Sequence, residues 1–337
     1  NWDATLTNLE QLTDTLKYRI NSNILDIMDT LRNVSYLFTV LAESDEGSSY
    51  REEIFMITTY FVNKLILVRP ESLQIKFEGI FKNNSACQSF FNKIHQYLQI
   101  YSIKINKGVL KPYFSNQRFT DELSSKSYYV DKNLEKQIVE LFRLLCKNGN
   151  TFMQNYLKKQ HNNSRSFNLV SLICEFSKEF LNHLHYPVPF DTFINCLTCM
   201  QEMVQGPNYN NQNIFMINDF VSVVAIEILE MKYHDKEEEL EQDADDHDTK
   251  FSGLQHVESL TMKKSKSKYG SISIGQSNLK KYSDQIATMP STNYMISLAK
   301  FNVFMILNHL VDGREPSDYV FYLYRREIRP EVFRMNL

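Results

Sequence analysis

The chain has 337 residues, of which 43% are hydrophobic and 13% aromatic, the composition of a folded globular protein able to bury about three quarters of its unfolded surface. A formal net charge of −3 and a pI near 6.3 argue against nucleic acid as a general partner. Five cysteines (Cys87, Cys146, Cys174, Cys196 and Cys199) are too few and odd in number for a disulfide framework, and read as buried thiols in a reducing setting.

In chain order, apolar residues recur at helical spacing almost throughout. Residues 5–42 read as one or two helices, through Leu6, Leu9, Leu12 and Leu16 and then Ile24, Ile27, Met28, Leu31, Phe38 and Leu41. After a polar turn at Glu43–Ser49, Ile54, Phe61, Val62, Leu65 and Ile66 line a core helix that Pro70 ends. Further helices fall at 71–82 and at 86–105, the second through Phe90, Ile94, Tyr97, Leu98 and Tyr101. Gly108 and Pro112 open an irregular stretch to about Asp131.

The pattern then sharpens. Leu134, Ile138, Leu141, Phe142 and Leu145 share one helix face, with Gly149 as the C-terminal cap. A short helix carries Phe152, Tyr156 and Leu157, and a longer one carries Leu169, Leu172, Ile173, Phe176 and Phe180. Pro187 and Pro189 break the latter, and Asp191 is placed to cap the next, whose face is Phe193, Leu197, Met200 and Val204. The loop Gln205-Gly206-Pro207 to Asn213 is a helix–turn–helix corner, since Gly-Pro breaks the helix and the Asn and Gln side chains satisfy local backbone groups. Ile217, Val221, Val224 and Ile228 read as one face of the helix that follows.

Residues 234–288 differ in kind. An acidic run, Asp235 to Asp248, is followed by a Lys/Ser/Gly-rich one, Met262 to Ser277, and neither has the apolar area to offset its ordering entropy, so a flexible linker or insertion is expected. A helical tail follows with Leu298, Phe301, Phe304 and Met305, then a Gly313–Pro316 turn and a Ser317 cap before Val320, Leu323 and Tyr324. The fold class is all-α, an armadillo-like helical solenoid or antiparallel helix bundle with a long disordered insertion. Four parts are expected: a helical region over 1–130, a helical domain over 131–233, the acidic and basic linker over 234–288, and a C-terminal hairpin over 289–337 packing on the preceding domain. No run reaches about 18 uninterrupted apolar residues, so no direct membrane insertion of this segment is expected. The chain opens on Asn1, as an internal piece of a longer protein would.

Few residues look chemical. His183-Leu-His185 followed by Cys196-Leu-Thr-Cys199 has zinc-ligand residue types. The alternative, with the cysteines on a buried helix and the histidines at a helix end, is the stronger because the stretch between them is itself helical and apolar, and no metal is expected. The run Asp243 to Asp248 departs from the calcium-loop template, which needs a glycine at its sixth position. Ser265 and Ser267 among lysines admit a phosphoswitch, with a solubilising linker as the plainer reading. No motif frames a nucleophile, and the chain is not expected to be an enzyme.

Three stretches together resemble a known family. They are Leu141-Phe-Arg-Leu-Leu-Cys-Lys-Asn-Gly-Asn150 with Phe152-Met-Gln-Asn-Tyr-Leu157, the run from Leu197 through Gln205-Gly206-Pro207 to Asn211-Gln212-Asn213, and, more weakly, Leu298 to Val332. In this order they resemble the homology-associated cytosolic domain of inositol trisphosphate and ryanodine receptors, best over 134–230. The resemblance implies an armadillo-type domain of a calcium-release channel, lying between the ligand-binding region and the pore and relaying conformational change. It further implies other domains or subunits as partners, a homotetramer if a pore accompanies the segment, and a position on the cytoplasmic face of an endomembrane. A helical scaffold that retains the domain without a channel, acting only through protein–protein interfaces, is the alternative. The family's activating calcium site uses two glutamates. One falls on Glu202; the other position is Lys147, an ammonium where a carboxylate is expected, which leaves direct pairing of Lys147 with Glu202 as the substitute. Calcium at Glu202 is the one ion the resemblance implies, and no other cofactor is expected.

Overall fold

The computed structural model describes residues 24–44, 49–68, 70–110, 134–161, 163–233 and 292–328. The leucines at 6–16, the stretch 111–133, the linker at 234–288 and the residues after 328 therefore lie outside the described residues, as does the question of what the acidic and basic runs do. All the regular structure described is helical. It comprises α1 (Ile24–Glu43), α2 (Ser49–Val68), α3 (Pro70–Asn83), α4 (Cys87–Asn106), α5 (Leu134–Cys146), α6 (Thr151–Lys158), α7 (Leu169–Lys178), α8 (Pro187–Val204), α9 (Tyr209–Ile217), α10 (Ile226–Glu230), α11 (Thr292–Val311) and α12 (Tyr319–Glu327). The chain divides into two compact units, one of residues 1–230 with 298–337, the other of residues 231–297. In the second, only 231–233 and the opening residues of α11 are described.

In the first unit α5 is the hub. Its apolar residues cover more than one stripe, with Leu134, Ile138, Val139, Leu141, Phe142, Leu144, Leu145 and Cys146 all buried. A helix apolar on two sides must be covered on two sides, and α5 is covered by α2 and by α8. Elements adjacent in sequence pack as neighbours: α1 on α2, α2 on α3, α6 on α5, and α7 on α6 and α8. Pro70 separates α2 from α3 as expected, standing at the first position of the new helix, where a missing N–H costs nothing.

An aromatic cluster joins α1–α4 to the rest. Phe38 and Phe90 have ring centroids 5.1 Å apart, Phe81 and Phe91 also 5.1 Å, and Tyr156 of α6 stacks on Phe81 at 5.4 Å and meets Phe91 edge-on at 5.4 Å. The Tyr156 hydroxyl donates to the carbonyl of Phe81 at 3.5 Å. Helices 24–106 thus share one apolar core with the helices after 134.

Several local expectations are corrected. Asp191 does not cap α8. That helix begins four residues earlier with Pro187 in its first turn, so the proline initiates the helix, and Asp191 pairs with Lys136 of α5 instead. Asp318, not Ser317, caps α12, its carboxylate accepting the Val320 N–H at 2.9 Å. On α11 the buried face is Ala299, Val303, Ile306, Leu307 and Leu310, and Phe301 is exposed. The run after the corner is not one helix. Asp219 takes a left-handed φ of 55°, a π-helical turn Phe220–Ala225 follows, and the two halves bend by 62°. Val221, Val224 and Ile228 stay buried while Ile217, ahead of the break, is 78% exposed.

Among the described residues α11 is long and apolar enough to cross a bilayer by length and composition, and half of its apolar window is buried, as in a core helix. Lys300 and Asn302 interrupt the run, which is why no unbroken stretch stands out in the sequence.

Candidate functional site

The corner is built where three chain segments end together. At the end of α5, Lys147–Gly149 form a single 3₁₀ turn in which Asn148 and Gly149 both take left-handed φ, 61° and 68°. The cap expected at Gly149 is therefore present, with the reversal shared by Asn148. The last carbonyls of a helix lack partners within it, and here they are served from another helix. The Gln74 side-chain amide of α3 donates to the carbonyls of Leu144 at 2.6 Å, Leu145 at 3.3 Å and Lys147 at 3.2 Å. Asn150 then caps α6, accepting the Met153 N–H at 3.1 Å.

The C-terminus of α8 is served in the same way. Gln154, fully buried, donates to the carbonyls of Glu202 at 2.8 Å and Gln205 at 2.9 Å, and its own carbonyl accepts the Asn208 amide at 2.9 Å. Asn208 in turn caps α9 through the Asn211 N–H at 3.3 Å. Asn211 donates to the carbonyls of Met203 at 3.0 Å and Gln154 at 3.2 Å. Gln212 reaches across to the end of α11, donating to the carbonyls of His309 at 2.8 Å and Asp312 at 3.2 Å, and to Gly206 at 3.3 Å.

Arg314 closes the far side. Its guanidinium donates to the Gln212 carbonyl oxygen at 2.9 Å, the Asn213 side chain at 2.6 Å and the Asp318 carboxylate at 3.0 Å, and lies over the Tyr209 ring. The Tyr209 hydroxyl donates to the carbonyl of Gly313. Gly313 is held at φ 71°, and a Cβ there would stand 2.8 Å from the Pro207 Cβ. Gln205, Gly206, Pro207, Asn211 and Gln212, singled out from the sequence as one motif, are thus brought together as one network.

Glu202 sits on the inner side of this corner. One carboxylate oxygen, Oε2, is buried and has no hydrogen-bond partner. Burial pushes the carboxyl above its usual range, while Arg143, a hydrogen bond from the Asn148 N–H and Lys147 pull it back. Arg143 itself holds Glu140 with two bonds of 2.6 Å. The expected Lys147–Glu202 salt bridge does not form within 4 Å. Lys147 acts on Glu202 only through space, and the nearer partner of its carboxylate is the Asn148 N–H.

This donor set does not fit calcium. The ion takes roughly six to eight oxygens. Beside Glu202 stand two cations, one of them paired with Glu140, an N–H, the Asn211 side-chain oxygen, and carbonyls that Gln74, Gln154, Asn211 and Gln212 already occupy.

The zinc candidates do not converge. Among the described residues no three His, Cys, Asp or Glu side chains come together as a metal site would require. Cys196 and Cys199 are fully buried, and burial pushes both thiols well above their usual range, opposing the thiolate that zinc needs. His183 and His185 stand 6.5 Å apart, ring to ring, after the end of α7.

Residues 130–228 match the family model described as RyR and IP3R Homology associated. The chain carries this domain, which begins just before α5 and ends within α10. No curated protein matches the chain. The sequence does not single out Gln74 or Arg314, and marks Arg143 and Gln154 only as part of the stretches that carry the resemblance. Of these Gln74 and Arg314 lie outside the matched segment, and a lone Gln or Arg on a helical surface has no local pattern to mark it.

Proposed function

We propose that this chain is a non-enzymatic coupling and regulatory segment of a diverged inositol trisphosphate/ryanodine receptor-like assembly, relaying displacement between helical layers on the cytoplasmic face of an endomembrane. The observation that carries this is the buried amide network of Gln154, Asn208, Asn211 and Gln212, completed by Arg314. It ties the ends of α6, α8, α9 and α11 into one corner. Amide bonds of this kind have discrete partners in a buried setting, so the four helix ends shift as a body or change partners, and do not bend gradually. The related domain supports the same reading. On it, the partners are other domains or subunits, with a homotetramer if a pore is present, and α11 serves as a core helix with no insertion into the bilayer.

The second reading is a scaffold that keeps the helical array and acts only through interfaces. The cations around Glu202 favour it, because they depart from the arrangement expected of a calcium-gated channel domain. Tagging the chain at its own locus separates the two. Recovery in a large endomembrane assembly, with stimulated calcium release slowed by Arg314→Ala, supports coupling. Unchanged release with the assembly intact moves the function to the scaffold, and recovery as a free monomer overturns both.

A further inference from the structure

We propose that the Glu202 corner is closed by the chain's own hydrogen bonds where a divalent ion would bridge, so that the α5–α8 contact is made without calcium and the coupling it supports is not calcium-regulated. The inference rests on the coupling reading only for what the ion would have regulated; the closure itself is a property of the chain.

Three observations converge. The first is charge. Glu202 is the carboxylate of the corner, and both Arg143 and Lys147 act on it, while the second nearby carboxylate, Glu140, is fully engaged by Arg143 in a two-bonded pair. An incoming dication would meet the Lys147 ammonium, an Arg143 guanidinium already paired with Glu140, and one unpartnered carboxylate oxygen.

The second is the state of the backbone oxygens. The carbonyls of Leu144, Leu145 and Lys147 face the Gln74 amide, those of Glu202 and Gln205 face the Gln154 amide, that of Met203 faces Asn211, and that of Cys146 accepts the Asn150 N–H at 3.2 Å. Each of these backbone oxygens already points at the positive end of an amide. Binding would have to break bonds that themselves hold the helix ends.

The third is that the contact is already made. The Asn148 N–H donates to the Glu202 carboxylate, and Gln154 clamps the α8 terminus against α6 directly after the Lys147–Gly149 turn. The two segments an ion would draw together are joined by hydrogen bonds.

Melting curves of the purified chain in EDTA and in millimolar calcium or magnesium test this, alongside Lys147→Glu and Glu202→Gln. The unsubstituted chain is expected to melt at the same temperature in all three solutions. Lys147→Glu restores a second carboxylate beside Glu202, and two carboxylates with water are enough for a weak site. A calcium-dependent rise of several degrees that magnesium does not reproduce is expected there.

A calcium-dependent rise in the unsubstituted chain that Glu202→Gln abolishes overturns the proposal. So does a folded Lys147→Glu chain that ignores calcium. Should Lys147→Glu fail to fold, calorimetric titration of the unsubstituted chain with calcium decides alone: no heat supports the proposal, and a saturable heat lost in Glu202→Gln refutes it. None of these readings depends on where the chain sits in the cell, so failure here leaves the membrane-assembly experiment standing, and the reverse also holds.

Discussion

Replacing Gln154 by methionine preserves the length and most of the volume of the side chain and deletes its amide. In the fully buried corner this removes the donor to the Glu202 and Gln205 carbonyls and the acceptor of the Asn208 amide, bonds of 2.8, 2.9 and 2.9 Å. Methionine offers neither group, and water has no room to take its place beside Asn211 and Gln212, both fully buried. Each polar group left buried and unpaired costs about 1–3 kcal/mol, so the loss is about 3 kcal/mol or more. Thr151→Ala, four-fifths of a turn away, removes one exposed bond of 3.3 Å and should stay within about 0.5 kcal/mol. The assay is urea unfolding followed by far-ultraviolet circular dichroism, reading the midpoint at matched slope. Pairing Gln154→Met with Asn208→Ala in a double-mutant cycle then isolates their bond, expected to give a coupling of about 0.5–3 kcal/mol. A Gln154→Met loss below about 1 kcal/mol, or a cycle that closes to zero, would refute the claim that this amide network holds the corner.

Two further outcomes follow from the same geometry. Gly313→Ala forces a side chain into a left-handed φ and against the Pro207 Cβ at 2.8 Å, and is expected to cost about 2 kcal/mol or more. Gly79→Ala, in α3 with nothing within 4 Å, should instead gain about 0.5–1 kcal/mol, and the pair of unfolding midpoints checks both signs at once. Glu202→Gln concerns pH. Because burial raises the folded-state carboxyl above its unfolded value, the folded chain holds that proton more tightly, and the charged form costs stability once pH exceeds the unfolded carboxylate range. The glutamine variant is therefore expected to melt higher than the unsubstituted chain at neutral pH. The difference should fade as pH falls into the carboxylate range, and a difference that grows toward acid would contradict the sign.

How much of this was legible in the sequence depended on distance along the chain. The bodies of the helices Ser49–Val68, Leu134–Cys146 and Pro187–Val204 follow from their own apolar spacing, though the start of the last does not, and the Gln205–Asn213 corner follows from residues adjacent to one another. What escaped were bonds between residues far apart. Gln74 caps a helix that ends about seventy positions later, and Arg314 reaches Gln212 across a linker whose composition hides any relation between its two sides. The bend at Asp219 escaped for another reason. Asn218-Asp219 contains neither glycine nor proline, and the apolar period runs through it unbroken, so only the αL backbone and the π-helical turn reveal that Ile217 and Val221 do not share a face. At Glu202 the resemblance suggested Lys147 as a direct partner, and no such ion pair forms among the described residues. The backbone N–H of Asn148, which no side-chain pattern marks, takes the place expected of Lys147.

The aromatic cluster around Tyr156 has a consequence for what counts as the unit of this protein. The recognisable segment, 130–228, ends short of its own supports on both sides. Phe81 and Phe91, which pack on Tyr156 face-on and edge-on, and Gln74, which finishes α5, precede it; Gly313 and Arg314, which finish the corner, follow it. A fragment trimmed to the matched borders would keep every residue that makes the domain recognisable and lose the neighbours that those residues pack against and bond to. In this chain the borders of the recognised segment and those of the packed unit are drawn along different lines.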